Sequence, residues 1–199
     1  MKSSQELTEK RQAMNNQVSD LSLIIAALSF ASEKHRDQRR KDQEGTPYIN
    51  HPIEVARLLH EVGGITDGAT LAAALLHDTV EDTDTTRDCL YDLFGEEVAA
   101  LVMECSDDKT LAKEERKQKQ IDHAPHISTK AKLIKLADKI SNVRDMGHSP
   151  PPDWSLERRV AYVEWGKKVV VGLRGSNQSL EMLYDHTAAE ALNKLNAKP

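Results

Sequence analysis

Leu71-Ala72-Ala73-Ala74-Leu75-Leu76-His77-Asp78 is apolar on almost every face until it ends in an imidazole and a carboxylate. A segment of this kind, capped by Thr66 or Asp67, predicts a helix in the centre of a domain, because a surface helix would carry a polar stripe. Burying His77 and Asp78 at its end is costly unless hydrogen bonds or a metal satisfy both. Reading outward from there finds helices only. Upstream, Leu21, Ile24, Ile25, Leu28 and Ala31 recur at helical spacing behind a Ser19-Asp20 cap. Pro52 opens a second helix carrying Ile53, Ala56, Leu59 and Val62, which Gly63-Gly64 stops. Downstream, Thr85 caps a short helix ending at Gly95, and residues 96–104 form the next. Residues 113–122 are strongly charged, and 128–145 form a long amphipathic helix broken by Gly147 and Pro150-Pro151-Pro152. Segments 155–173 and 176–198 complete the chain, and the β-branched run Val169-Val170-Val171 lies inside helical periodicity. The expected class is all-α: one domain over residues 19–198, a bundle of about eight to ten helices, behind a polar tail over 1–18.

Composition agrees with one ordinary domain. The 199 residues are 39% hydrophobic and 30% charged, enough for a core without covalent staples. Two cysteines, Cys89 and Cys105, exclude a disulfide framework and a cysteine-rich zinc site, and predict reduced thiols in the cytoplasm. The charge-free apolar stretch over 21–32 falls short of the ~20 residues a membrane span needs. Glu6 and Glu9 precede it and no small-residue cleavage site follows, so a signal peptide is not expected. Net charge is −5 and only 4% of residues are aromatic, which argues against a broad nucleic-acid surface.

Two further residues bear on the same chemistry. His51 sits between Asn50 and Pro52 at a helix start. Asp138 falls on or near the apolar face of the 128–145 helix, where a carboxylate is costly unless paired; a salt bridge to Lys135 or Lys139 is the simplest alternative to a ligand role, and Asn142 lies one turn on. Together His51, His77, Asp78 and Asp138 offer two nitrogens and two oxygens from three helices, a set suited to one first-row divalent ion. Glu81 and Asp82, one turn beyond the His-Asp pair, are placed to take a proton from an attacking water. Lys34, Arg36, Arg39, Arg40 and Lys41 form one basic stretch, and Lys109, Lys113, Arg116, Lys117 and Lys119 another. Each reads equally well as a solvated face, but beside a metal site they point to phosphate-ester or pyrophosphate chemistry.

Four ordered segments then carry a family likeness: 35–41 (His-Arg-Asp-Gln-Arg-Arg-Lys), 45–52 (Gly-Thr-Pro-Tyr-Ile-Asn-His-Pro), 74–82 (Ala-Leu-Leu-His-Asp-Thr-Val-Glu-Asp) and 135–145 (Lys-Leu-Ala-Asp-Lys-Ile-Ser-Asn-Val-Arg-Asp). Over about residues 20–175 the chain resembles the HD-superfamily alarmone hydrolases, the hydrolase domain of Rel/SpoT proteins, and above all their small stand-alone forms of the metazoan SpoT-homologue type. Asp107-Asp108-Lys109-Thr110 also has the stand-alone look. The resemblance implies an HD fold around one Mn2+ held by His51, His77, Asp78 and Asp138, with Glu81 and Asp82 activating water. It implies Arg40 stacked on the guanine base with Lys41 nearby, Asn142 at the ribose, Lys139 at the phosphates and Tyr162 against the nucleotide; the 34–41 and 109–119 basic stretches, Lys109 among them, are expected to spread the charge that develops on the phosphoryl oxygens. The implied reaction removes the 3′-pyrophosphate of ppGpp or pppGpp, leaving GDP or GTP, without synthetase activity. Removal of the 2′-phosphate of NADPH is the alternative the family also offers, and another HD nucleotide phosphohydrolase is the next. The residues leave open which of Glu81 and Asp82 is the main base, which first-row ion binds, and whether the chain is a monomer or a homo-oligomer; no nucleic-acid or membrane partner is expected.

Overall fold

The computed structural model describes residues 20–197, so the polar tail over 1–18 and the residue Ser19 lie outside the described part. Helix α1 covers residues 20–34. It is followed by α2 (Asn50–Glu61), α3 (Gly68–Leu76), α4 (Thr79–Asp82), α5 (Arg87–Cys105), α6 (Lys113–His123), α7 (Thr129–His148), α8 (Leu156–Val171) and α9 (Gln178–Asn196). Among the described residues the one β feature is an isolated antiparallel bridge between Arg39 and Pro47, and the class is all-α as expected.

Side chains start these helices by accepting orphan N–H groups. Asp67 accepts from Thr70, Ser128 from Ala131, Ser155 from Arg158 and Asn177 from Leu180. Thr86, not Thr85, caps α5, accepting from the Cys89 N–H. Gly95 then breaks α5 in two, because its φ of 84° is open to glycine and strained for a side chain. α7 runs through Gly147 to His148 before the proline loop ends it.

α3 is buried at every residue but Ala69, which is partly buried, and it packs on α2, α5 and α7. α7 touches α2, α3, α5, α8 and α9, so the residues it offers to the interior reach the middle of the molecule. Two faces are turned from the expected phase. On α1 the core side is Ala27 and Ala31 with Ile24 and Leu28, while Leu21 and Ile25 are exposed. On α2 it is Val55, Leu58 and Leu59, and Ile53 points out, because the first turn rotates inward to bury His51 and Pro52. Leu180 and Ala188 of α9 are buried, and Leu183 and Leu192 pack against the same core. No helix among the described residues is long and apolar enough to cross a membrane.

Candidate active site

α3 stops at Leu76, which leaves the carbonyls of its last turn without helical partners. The Ala74 carbonyl accepts from His77 Nδ1 at 2.8 Å, so Nδ1 carries the ring hydrogen and Nε2 presents its lone pair inward. His77 Nε2 is buried and makes no hydrogen bond, yet Asp78 Oδ2 lies 3.1 Å away and Asp138 Oδ1 3.8 Å. His51 comes from the first turn of α2, with Nδ1 3.1 Å from Ser141 Oγ. Its Nε2 is 3.1 Å from Asp138 Oδ1 and 3.6 Å from Asp78 Oδ2. Two imidazole nitrogens and two carboxylate oxygens therefore converge on one point, and His51, His77 and Asp138 already meet the spacing of a metal cluster.

A lone pair aimed at carboxylates needs a cation between them. Burial opposes a proton there, but Asp78 and Asp138 outweigh burial and raise His77 well above the ordinary imidazole range. Both carboxylates are correspondingly lowered although burial alone would raise them, Asp78 by His77 and His51, Asp138 by Lys139 and His51. Adjacent ligands on bonds of about 2.1 Å sit about 3 Å apart, a spacing that His51, His77 and Asp138 approach, with Asp78 against both histidines. Around it, Tyr48 Oη donates to Asp78 Oδ2 (2.6 Å) and Asn142 Nδ2 to Asp138 Oδ1 (2.5 Å). Lys139 Nζ takes Asp138 Oδ2 at 3.0 Å, with the Trp165 ring beneath it at 4.7 Å.

The two acidic residues of α4 have different surroundings. Glu81 Oε1 accepts the Asp107 N–H at 2.7 Å, and Gln120 Nε2 holds the Asp107 carboxylate at 2.5 Å. Burial, then the charges of Asp107 and Asp78, push the Glu81 carboxyl up to about 7. Asp82 is clamped on both oxygens, by Lys109 Nζ at 2.6 Å and by Gln38 Nε2 at 3.1 Å.

The ligand pocket, about 110 Å³, opens into a cleft of about 470 Å³ through Tyr48, Asp78, Glu81 and Asn142. A cleft of that size suits a nucleotide. Arg40 stands on one wall over the Tyr48 ring, paired with Asp145 and donating to Asn142 Oδ1 at 3.2 Å. Tyr162 also lines the cleft, set between Trp154, which meets its ring edge-on, and Trp165, and its hydroxyl is pushed up to about 12 by burial. Lys41, Lys109 and Arg116 add positive charge around the opening.

The HD domain family model matches residues 27–163. The chain belongs to the HD-domain family, in its MESH1 branch. Guanosine-3′,5′-bis(diphosphate) 3′-pyrophosphohydrolase MESH1 of Xenopus tropicalis is 57% identical over 168 residues, spanning 84% of this chain and 94% of that protein. The protein of the same name from Homo sapiens is 55% identical over 168 residues, with the same coverage of 84% and 94%. The solved structure of a metazoan ortholog of SpoT that hydrolyzes ppGpp matches with a TM-score of 0.81 at 50% identity, covering 83% of this chain and 93% of that one.

Seen as an HD domain, the chain brings His51, His77, Asp78 and Asp138 together, and sets Glu81, Asp82, Arg40, Lys41, Lys109, Asn142 and Tyr162 around the adjoining cleft. Lys139 is buried in the wall with its ammonium on Asp138. The basic stretches divide. Lys34 and Arg36 face away and pair with Asp84 and Glu33, whereas Arg39, Arg40 and Lys41 line the cleft. Lys135, a simple partner for Asp138 by spacing, instead donates to the Cys105 carbonyl at 2.9 Å. The HD-domain site also uses Tyr48, Gln38, Asp107, Gln120 and Ser141, which spacing did not single out. Tyr48 and Ser141 each stand three residues from a ligand, inside the segments that carry the family likeness, and that was their sequence signal.

Proposed function

We propose that this protein hydrolyses guanosine 3′,5′-bis(diphosphate), releasing the 3′-pyrophosphate and leaving GDP, and treats the pentaphosphate likewise to leave GTP. The observation that carries the reading is the meeting of four ligand atoms with a raised carboxyl, Glu81, at the floor of a nucleotide-sized cleft. His51, His77, Asp78 and Asp138 would hold one divalent ion, and manganese is our choice among first-row ions for this nitrogen–oxygen set. Such an ion supplies Lewis acidity, acidifying water and drawing charge from the phosphoryl oxygens.

The chain's own groups do the rest. Glu81, with an oxygen free of the Asp107 bond, accepts the proton of the attacking water near neutral pH. Asp82 holds the Lys109 ammonium beside Glu81 and accepts from the same water. Lys41, Lys109 and Arg116 offset the charge that develops on the phosphoryl oxygens. Arg40, stiffened by Asp145 and Tyr48, stacks on the purine, Asn142 reaches the ribose, and Tyr162 packs against the nucleotide. Lys139 fixes Asp138, and its remaining hydrogens face the phosphates. Two free thiols, one buried and one half-buried, suit the cytoplasm.

Metal-stripped enzyme assayed with ppGpp and with NADPH, each with and without manganese, tests the proposal. Manganese-dependent pyrophosphate release from ppGpp is the expected result. Orthophosphate from NADPH alone would keep the site and move the substrate, and no turnover of either would overturn the reading.

A further inference from the structure

His35 is 1% exposed, and the reaction above gives it no task. It lies just past the end of α1, where the loop that carries Arg40 and Tyr48 and leads to His51 in α2 begins. His35 Nδ1 is 2.6 Å from Gln38 Oε1. An amide oxygen only accepts, so Nδ1 carries the hydrogen. That contact turns the Gln38 NH2 the other way, where Nε2 donates to Asp82 Oδ2 at 3.1 Å. A flipped amide would set its oxygen against the carboxylate, so Asp82 decides which way the amide faces, and the imidazole N–H, by holding the amide oxygen, decides where it sits. The same ring lies 5.0 Å from the ring of Tyr48, whose hydroxyl holds Asp78. Meanwhile His35 Nε2 is buried without a partner. A side chain needed only for packing would avoid that cost, since a phenylalanine fills similar space with no polar atom to desolvate.

We infer that His35 is a positioning residue for the hydrolysis: its Nδ1–H sets the Gln38 amide, and the amide holds the Asp82 carboxylate in the orientation that meets water and Lys109. The inference rests on the proposed role of Asp82, so the experiment separates the two. His35→Phe keeps a ring against Tyr48 and loses the donor; His35→Asn places an N–H near the Nδ1 position and keeps it. Steady-state kinetics with ppGpp should show His35→Asn within a few-fold of the parent kcat, and His35→Phe about tenfold lower with KM unchanged, the usual scale for a lost orienting partner. Gln38→Met, on a half-buried loop position that does not endanger folding, should show the same loss, and adding His35→Phe to it should cost nothing further. Parent-like kcat in Gln38→Met or in His35→Phe overturns the inference, as do losses that multiply in the double variant. Asp82→Asn at the parent rate would instead refute the role of Asp82. Loss in Asp82→Asn with His35→Phe unaffected refutes His35 alone.

Discussion

Replacing Glu81 by glutamine should make the metal-free protein more stable at pH 8 and leave it unchanged at pH 4.5. The Glu81 side chain is 17% exposed, and its carboxyl is raised from an ordinary 4.5 to about 7 by burial, Asp107 and Asp78. That difference is a preference of about 3 kcal/mol for the neutral form inside the fold. Below 4.5 the group is neutral in both folded and unfolded chains and costs nothing. Between 4.5 and about 7 the unfolded chain ionises while the folded one holds its proton, so stability is lost progressively as pH rises. Above about 7 the whole penalty is present. Glutamine never ionises and still accepts the Asp107 N–H. The gap between Glu81→Gln and parent should therefore grow from near zero at pH 4.5 to about 3 kcal/mol in favour of the variant at pH 8. Urea unfolding followed by far-UV circular dichroism, with chelator present, measures it at four or five pH values. A gap that is flat in pH, or a parent more stable than the variant at pH 8, would refute the reasoning. A bound divalent ion favours the carboxylate, so adding metal should narrow the gap and bring the acid limb of kcat/KM below 7. The same variant should lose about 10²- to 10⁴-fold in turnover, the usual worth of a positioned base.

His77→Ala or Asp78→Ala should remove bound metal after dialysis and lower turnover at least about 100-fold; metal content and activity near the parent's would sink the ligand assignment. Arg40→Ala should raise KM for ppGpp about tenfold and leave kcat within a few-fold, because a stacked guanidinium binds ground and transition states alike, and a pure kcat loss would contradict that role. Gly147→Ala would set a Cβ 2.9 Å from the Ala191 Cα where α7 crosses α9, so thermal unfolding should show a loss of about 1–3 kcal/mol, and an unchanged Tm would mean the helices part without strain.

Most of the helices were legible because they bury a repeating face, and periodicity survives in one chain without any partner in view; α6, with no buried residue, was marked by its charge alone. The rotation of each face was not. Ile53 and Val55 both belong to an apolar repeat on α2, and propensity does not choose between them. The choice comes from the turn before them, where His51 and Pro52 are drawn inward and Ile53 is carried out. The cap of α5 shows the same limit on a smaller scale: Thr85 and Thr86 are chemically equal, and only the extended backbone at Thr86 places its oxygen on the Cys89 N–H.

At the site, the legible residues were those whose burial is expensive. An imidazole and two carboxylates in apolar surroundings demand a cation, and the sequence already shows that demand as His77-Asp78 ending an apolar helix and Asp138 inside another. Glutamine, serine and tyrosine make no such demand, so nothing in the chemistry of Gln38, Ser141 and Tyr48 themselves announced a partner. Their importance is created by distance along the chain being erased: Gln38 meets Asp82 across 44 residues, Tyr48 meets Asp78 across 30, and His51 meets Ser141 across 90. The basic runs mislead for the complementary reason. A lysine is solvated cheaply anywhere on the surface, so Lys34 and Arg36 face away at no cost while Arg40 turns inward only because Asp145, Asn142 and Tyr48 receive it. Where an expensive group sits can be read from one chain; which inexpensive groups gather round it is decided by the fold.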